Sequence, residues 1–295
     1  MGYELWTSPV TGIRRRGSKL VELRRHFEDA ITVEAIYEPI QACEVDMPTK
    51  ALSEILEKRG FDICGVRYPG SDEIHNYVTA ESLTSATHVS DCIQIIASNT
   101  VISETTAIAD CLHFLADMQW KFVLVGTSIA GIVTQWDLNK PPSRVYFFGI
   151  LSLFEQHLNL WIRRYYTDEE MRAVVGTNKH RSAETLQQRK KLRGIPTALI
   201  ENFNIPEKRL LLFSNEYLLA ALNIDAEDEI KIENIATFRN ALMHSANSVL
   251  DSLTWQEVAT MILFIEKTLE LSDKLIEDDA LRTKEPDSEH LFASA

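Results

Sequence analysis

Apolar positions along the chain change their spacing near residue 140, and this change divides the sequence into two parts. Before it, two amphipathic helices are predicted at Thr49–Arg59 and Thr105–Met118, each within a group of short apolar runs that suit strands. The strands are predicted at Phe61–Tyr68, Ile74–Thr79 and Phe122–Val125. This order of elements occurs twice, as a loose internal repeat. After residue 144 the apolar positions follow helical spacing almost throughout, and the helices predicted there include Ile195–Phe203 and Pro206–Leu222.

The pattern therefore predicts an α+β protein, with an N-terminal α/β module followed by an all-α helical bundle. A basic arm and a short helix occupy residues 1–29, and the repeated units occupy residues 30–140. Two prolines at 141 and 142 mark a linker, since proline ends regular structure and separates domains. The helical domain is predicted at 144–276, and the polar residues 277–295 are predicted to form a disordered tail.

Composition limits the classes of protein that the chain can belong to. The chain has 295 residues, of which 45% are hydrophobic and 25% charged, as in soluble globular proteins. Because its longest apolar run is too short to span a bilayer and no export signal is evident, a cytoplasmic location without membrane contact is expected. The four cysteines lie far apart, which favours reduced thiols and predicts no metal site. A net charge of -13 confines any nucleic-acid contact to a local patch.

The second repeated unit ends in a distinctive string, Gly131-Ile132-Val133-Thr134-Gln135-Trp136-Asp137. The string resembles the end of a CBS domain, which has the form G-h-h-T/S-x-x-D, where h is apolar. The resemblance extends over both units, from about residue 31 to 140, and thus to a tandem CBS pair. The first copy, Tyr77–Leu83, has Ser82 at the position of Asp137.

The resemblance implies a cleft that holds an adenosine nucleotide, such as AMP or ATP, as a regulatory ligand. It implies that Asp137 accepts the ribose hydroxyls and that Thr134 meets the phosphate or ribose. A carboxylate suits a vicinal diol because its two oxygens can accept two donors. The apolar residues expected to contact the base are Ile40, Phe61 and Ile132. The alternative is that Thr134 and Asp137 form only a strand end and a helix N-cap.

The second motif lies in a predicted helix, Lys231–Asn247, and consists of Arg239, Asn240 and His244. Asn240 and His244 lie four residues apart and hence on one helical face, which the long side chain of Arg239 can also reach. The alternative is a surface arginine and a hydrogen-bonded histidine on an ordinary helix. A basic segment elsewhere in the same domain offers phosphate contacts, with Arg189, Lys190, Lys191 and Arg193, although such segments are commonly only solvated.

Arg-Asn-x-x-x-His in a helical setting resembles the R-x4-H motif of the HEPN superfamily, and the helix around Glu155 resembles the first helix of that fold. The resemblance implies a homodimeric endoribonuclease that needs no metal and leaves a 2′,3′-cyclic phosphate and a 5′-hydroxyl. His244 would be the general acid and base, Arg239 the cation on the scissile phosphate and Asn240 an orienting amide, with Glu155 orienting Arg239.

Together, the two resemblances predict an RNA-cleaving domain that is controlled by nucleotide binding, as in a stress response or phage defence. The alternative is an adaptor without catalytic activity, which senses adenylates and binds RNA or a protein partner through its helical domain.

Overall fold

A computed structural model describes residues 19–28, 30–195, 197–243, 248 and 250–282. The chain divides into two compact units. The described residues from 27 to 143 form one, here called the α/β unit, and the helical unit combines residues 19–26 with the described residues from Arg144 onward. The expectation of an α/β module followed by helices is thus confirmed. The N-terminal helix belongs to the helical unit, which the sequence did not indicate.

The strands described for the α/β unit form two four-stranded sheets. The strands are β1 Glu38–Pro39, β2 Ala42–Glu44, β3 Ile63–Arg67, β4 Asn76–Thr79, β5 Gln94–Ile95, β6 Val101–Ser103, β7 Trp120–Val125 and β8 Ser128–Thr134. One sheet has the order β2-β3-β4-β5 and the other the order β1-β8-β7-β6. Helix α1 is Leu20–Glu28, and the two helices of the α/β unit are α2, Thr49–Arg59, and α3, Ile108–Asp117.

The two sheets have the same internal arrangement, which confirms the internal repeat. In each sheet a short strand pairs in parallel with the next strand, β2 with β3 and β6 with β7, and an antiparallel hairpin follows. The outermost strands are exchanged between the repeats. Strand β1 precedes the first repeat but pairs with β8 of the second, and β5 precedes the second repeat but pairs with β4 of the first.

The helices of the α/β unit cover apolar residues of the sheets. On α2, Leu52 and Leu56 lie one turn apart and are buried against β3 and β4, where Val66 and Val78 are also fully buried. This spacing is the amphipathic pattern that predicted the helix. All four cysteines are free, and three of them are buried: Cys43, Cys64 and Cys111.

The helical unit contains the remaining helices of the described residues. They are α4 Pro141–Tyr165, α5 Asp168–Val175, α6 Thr177–Leu192, α7 Ile205–Phe213, α8 Glu216–Ala221, α9 Glu229–Met243 and α10 Trp255–Arg282. Pro141 starts α4, so the boundary between the units falls within the first turn of this helix. Helix α10 continues past residue 276, where the sequence predicted the polar tail to begin.

A single helix predicted at Pro206–Leu222 is two helices in the structure. Helix α7 ends at Phe213, and Asn215 then caps α8, because its side-chain oxygen accepts a hydrogen bond from the Leu218 amide at 3.0 Å. Asparagine is one of the preferred N-cap residues. The helix predicted at Ile195–Phe203 is reduced to a 3-10 turn, Leu199–Asn202.

Polar contacts connect α4, α10 and α1 within the helical unit. Ser272 Oγ lies 2.6 Å from Trp161 Nε1, which donates to it, and 2.7 Å from His157 Nδ1. The neighbouring Asp273 accepts a hydrogen bond from the Leu20 amide at 2.9 Å, which fixes the start of α1. Among the described helices, each falls short of the length or the apolar character that crossing a membrane requires.

Candidate functional site

The α/β unit contains a cavity of about 630 Å³, a size typical of small-ligand sites. Its walls come from the β1–β2 connection, the loop between α2 and β3, the start of β7 and the end of β8. The five residues that the sequence predicted for nucleotide binding all line it: Ile40, Phe61, Ile132, Thr134 and Asp137. Residues from both repeats therefore meet here, and the exchanged strand β1 brings Ile40 to the second repeat.

Gly131 explains how β1 can approach β8 closely enough to form this wall. Pro39 of β1 lies opposite Gly131 in the register of the pair. A Cβ atom at Gly131 would lie 2.2 Å from Cδ2 of Tyr37 and 2.7 Å from the carbonyl oxygen of Glu38. Both distances are far below van der Waals contact, so only glycine fits without movement of β1. The glycine of the motif therefore has a steric role.

Asp137 is buried, and it already has hydrogen-bond donors from its own chain. Its Oδ2 accepts from the backbone N of Thr134 at 2.7 Å and from the Thr134 hydroxyl at 2.9 Å. This is the capping arrangement of the short 3-10 helix Gln135–Asn139. The alternative interpretation of Thr134 and Asp137, a strand end with an N-cap, therefore describes their geometry in this structure.

Lys140 occupies the other oxygen of Asp137. Its Nζ lies 2.9 Å from Asp137 Oδ1 and also bonds the Glu38 carboxylate and the Ile36 carbonyl. Burial lowers the pKa of Lys140, but its bonds to Glu38 and Asp137 outweigh burial and hold the pKa above the usual 10.5. Lys140 therefore stays protonated at neutral pH and partly neutralises the carboxylates of Glu38 and Asp137.

The corresponding position in the first repeat has no such carboxylate. Ser82 Oγ accepts from the Thr79 amide at 3.1 Å and donates to the Thr79 carbonyl at 2.9 Å. The Ser82 amide in turn donates to the Thr79 hydroxyl at 3.2 Å. The small hydroxyl thus completes the turn that Asp137 completes in the second repeat, but it adds no charge.

Aromatic residues at the cavity include some that the sequence did not single out. Trp120 lines the wall and packs edge-on against Tyr77 and Phe122, with ring centroids 5.5 and 5.0 Å away. Phe61 and Trp136 also line the cavity, and they are 41% and 69% exposed. Large exposed aromatic side chains beside a cavity offer flat surfaces on which a ring can stack.

Three carboxylates lie at the cavity, and the sequence identified only one of them. Glu38 and Asp62 join Asp137 in the lining. Each lies two positions or fewer from a residue that was predicted, Ile40 or Phe61. The alternation of buried and exposed positions in the neighbouring strands gave no signal for these two residues. Glu38 belongs to the two-residue strand β1, and Asp62 lies in the loop between α2 and β3.

In the helical unit the structure brings two of the predicted catalytic residues together. Arg239 Nε on α9 lies 3.7 Å from Glu155 Oε2 on α4. Asn240 is exposed on α9, and His244 lies outside the described residues. Glu155 and Arg239 therefore form an ion pair between α4 and α9.

Lys208 on α7 is a third member of this group that the sequence did not predict. It is fully buried, and its Nζ bonds Glu155 Oε1. Burial lowers the pKa of Lys208 below 10.5, while Glu155 opposes this shift and Arg239 adds to it. Glu155 therefore serves two cations at once, one with each carboxylate oxygen.

The predicted RNA-binding residues lie at the end of α6 and in the turn that follows. Arg189, Lys191 and Arg193 are exposed and Lys190 is partly exposed. Leu192, between them, is 88% exposed. The segment is therefore an accessible basic surface on α6, while Arg239 is carried by α9.

No protein-family model and no curated protein matches the chain. Among solved structures, the chain is similar to the CBS domains of a transcriptional regulator from Streptococcus pneumoniae, with 18% identity and a TM-score of 0.33. That match covers 37% of this chain and 98% of the other.

Two further solved structures were determined with ligands. One is the CBS domain of a bacterial CNNM/CorC family Mg²⁺ transporter in complex with ATP, with 17% identity, a TM-score of 0.33 and coverage of 40% of this chain and 88% of the other. The other is CBSX2 in complex with AMP, with 15% identity, a TM-score of 0.32 and coverage of 36% and 92%.

Proposed function

We propose that the α/β unit is a tandem CBS pair that binds an adenosine nucleotide or a related adenosyl compound in the 630 Å³ cavity. The observation that carries this proposal is the meeting of Thr134, Asp137 and three apolar residues from both repeats in one cavity. A ligand site typically combines an apolar lining with a few convergent polar groups, as this cavity does.

The carboxylate of Asp137 is the group that recognises the ribose. A carboxylate has about four lone-pair positions, and two donors of Thr134 together with Lys140 use three of them. One ribose hydroxyl can bond directly to Asp137. The second can bond only after Lys140 or the Thr134 hydroxyl gives up its position, so ligand binding rearranges the contacts that close the second repeat.

The helical unit is, in this proposal, a HEPN-type endoribonuclease that acts as a homodimer. Arg239 contacts the scissile phosphate and Glu155 orients Arg239, which the ion pair between them supports. His244 transfers protons between the attacking 2′-hydroxyl and the leaving 5′-oxygen, and Asn240 orients the substrate. The exposed basic end of α6 binds the RNA backbone. The protein then acts in the cytoplasm as a nucleotide-controlled effector in stress or phage defence.

A second candidate function is an adaptor that binds an adenosyl ligand but cleaves no RNA. One observation favours it: Lys208 is a buried partner of Glu155, so a structural ion pair alone accounts for the position of this carboxylate. In that case Arg239 belongs to a binding surface for RNA or a protein partner.

Calorimetric titration of the full chain with adenosine, AMP and ATP tests the ligand proposal. At least one of the three is expected to bind, and Asp137→Asn is expected to weaken binding at least about tenfold, because a carboxylate acceptor is replaced by an amide. The matched control is Ser82→Ala, which alters the same position of the first repeat. Equal affinity of wild type and Asp137→Asn, or binding by none of the three, contradicts the proposal.

Incubation of the full chain with mixed RNA in EDTA, with and without each adenosine compound, tests the ribonuclease proposal. Products with 2′,3′-cyclic phosphate ends are expected, and Arg239→Ala and His244→Ala are each expected to abolish them. The control is Arg209→Ala, an arginine of α7 that pairs with Glu229 at 3.0 Å. Intact RNA under every condition favours the adaptor, and cleavage that survives in both variants refutes the assigned site.

A further inference from the structure

The charge of the cavity distinguishes between kinds of adenosyl ligand. Three lining residues are carboxylates: Glu38, Asp62 and Asp137. Among the described residues that line the cavity, there is no lysine, arginine or histidine. Phosphate sites in proteins are normally built from arginine, lysine or a series of backbone amides at a helix N-terminus. The side chains of the described lining thus carry negative charge and supply no cation for a phosphate chain.

Two cations bond to lining residues from outside the lining. Lys140 is already shared between Asp137 and Glu38, so its charge offsets theirs. Arg59, at the end of α2, donates from Nη1 to the side-chain oxygen of Gln41 at 3.2 Å and is exposed. The three carboxylates and two cations together leave about one negative charge at the cavity.

From this charge distribution we infer that the cavity selects an adenosyl compound without a phosphate chain, neutral or cationic at its 5′ position, over AMP and ATP. The inference rests on the proposed function, because it concerns the ligand of the same cavity. The ribose hydroxyls and the base remain bound by Asp137 and the apolar lining. The charge of the 5′ substituent sets the difference in affinity between adenosyl compounds, because the substituent lies near the carboxylates of the lining.

The size of the effect follows from Coulomb's law. If a unit charge on the 5′ substituent lies about 7 Å from the excess negative charge of the cavity, with the dielectric constant of water between them, it changes the affinity about threefold. AMP, with about two negative charges, is therefore expected to bind about tenfold more weakly than adenosine, and ATP more weakly still. A cationic analogue is expected to bind about threefold more tightly than adenosine. The Debye length is about 10 Å at 0.1 M salt and becomes shorter at higher ionic strength, so the differences in affinity shrink as salt is added.

The test is calorimetric titration of the full chain with four probes that share adenosine: 5′-amino-5′-deoxyadenosine, adenosine, AMP and ATP. The expected order of affinity follows that sequence at low salt. In Asp62→Asn the ratio of adenosine to AMP affinity is expected to fall about threefold or more. The matched control is Asp72→Asn, which makes the same change in net charge at an exposed residue outside the lining.

Two outcomes overturn the inference and are distinct from each other. Tighter binding of AMP or ATP than of adenosine contradicts the inference but leaves the proposed adenosyl site intact. Absence of binding by all four probes removes the proposed site itself, and the inference with it. A preference for adenosine that Asp62→Asn and Asp72→Asn reduce equally shows that overall charge, and not the lining, sets the preference, which also overturns it.

Discussion

Replacement of Gly131 by alanine tests whether the close approach of β1 to β8 forms the cavity wall. The added Cβ would lie 2.2 Å from the ring of Tyr37 and 2.7 Å from the Glu38 carbonyl oxygen, whereas ordinary contact begins at 3.4 Å. The ring must therefore move by about 1.2 Å and the carbonyl by about 0.7 Å. Overpacking of this kind typically costs about 1–3 kcal/mol. We expect the upper part of that range, because backbone must move as well as a side chain.

The measurement is hydrogen–deuterium exchange of the full chain, which reports the free energy of opening in each segment. Gly131→Ala is expected to increase exchange in β1 and β8 while exchange in the helical unit is unchanged. Tyr37→Ala in the Gly131→Ala background is expected to recover part of the loss, since it removes the ring but leaves the Glu38 carbonyl in place. Their interaction free energy is expected to be about 1 kcal/mol or more, as for residues in direct contact.

Two results would refute this reasoning. Unchanged exchange in β1 and β8 of Gly131→Ala would mean that the close approach does not exist in solution. Additive effects of Gly131→Ala and Tyr37→Ala would mean that the two residues do not touch. Gly126→Ala is a suitable control, because Gly126 has a φ of +61° in the β7–β8 turn and a Cβ there meets nothing within 4 Å. Its cost, about 1–2 kcal/mol, comes from backbone conformation only.

Three further variants test other parts of the structure. Phe61→Ala is expected to weaken adenosine binding about 5- to 150-fold in calorimetry, because stacking on a base contributes about 1–3 kcal/mol. It is expected to change stability by no more than about 0.5 kcal/mol, since Phe61 is exposed. Ser272→Ala removes the acceptor of Trp161 Nε1 and is expected to lower the stability of the helical unit by about 1–3 kcal/mol in urea unfolding. Burial lowers the pKa of Lys208, so the folded state loses this proton at lower pH than the unfolded state. The helical unit should therefore gain stability as pH rises from the lowered pKa of Lys208 towards 10.5, as measured by urea unfolding across that range. Lys208→Met, which leaves Glu155 paired with Arg239, should not show this gain.

The repeat and the residues of the cavity were accessible from the sequence because they depend on local patterns. Leu52 and Leu56 repeat at helical spacing, and Thr134 and Asp137 stand in a short motif at the end of an apolar strand. The exchange of β1 and β5 was not accessible. Each of these strands has two residues, too few to show alternation, and their partners lie in the other repeat.

Long-range polar contacts were the second limit of the sequence. Lys208 resembles a surface residue of an amphipathic helix until Glu155, 53 positions away, is placed beside it. The position of α1 depends in the same way on the hydrogen bond from the Leu20 amide to Asp273, two residues that are 253 positions apart in the sequence. By contrast, the break at Asn215 had a local signal, an N-cap residue, which the continuous apolar pattern on both sides concealed.

A crystal structure of the full chain with bound adenosine tests the central claim most directly. The ribose hydroxyls are expected within about 3 Å of Asp137, with the base against Phe61 and Ile132. Lys140 or the Thr134 hydroxyl is expected to have left the carboxylate. Adenosine bound elsewhere, for example beside Thr79 and Ser82 in the first repeat, with all the present contacts of Asp137 intact, would contradict the account.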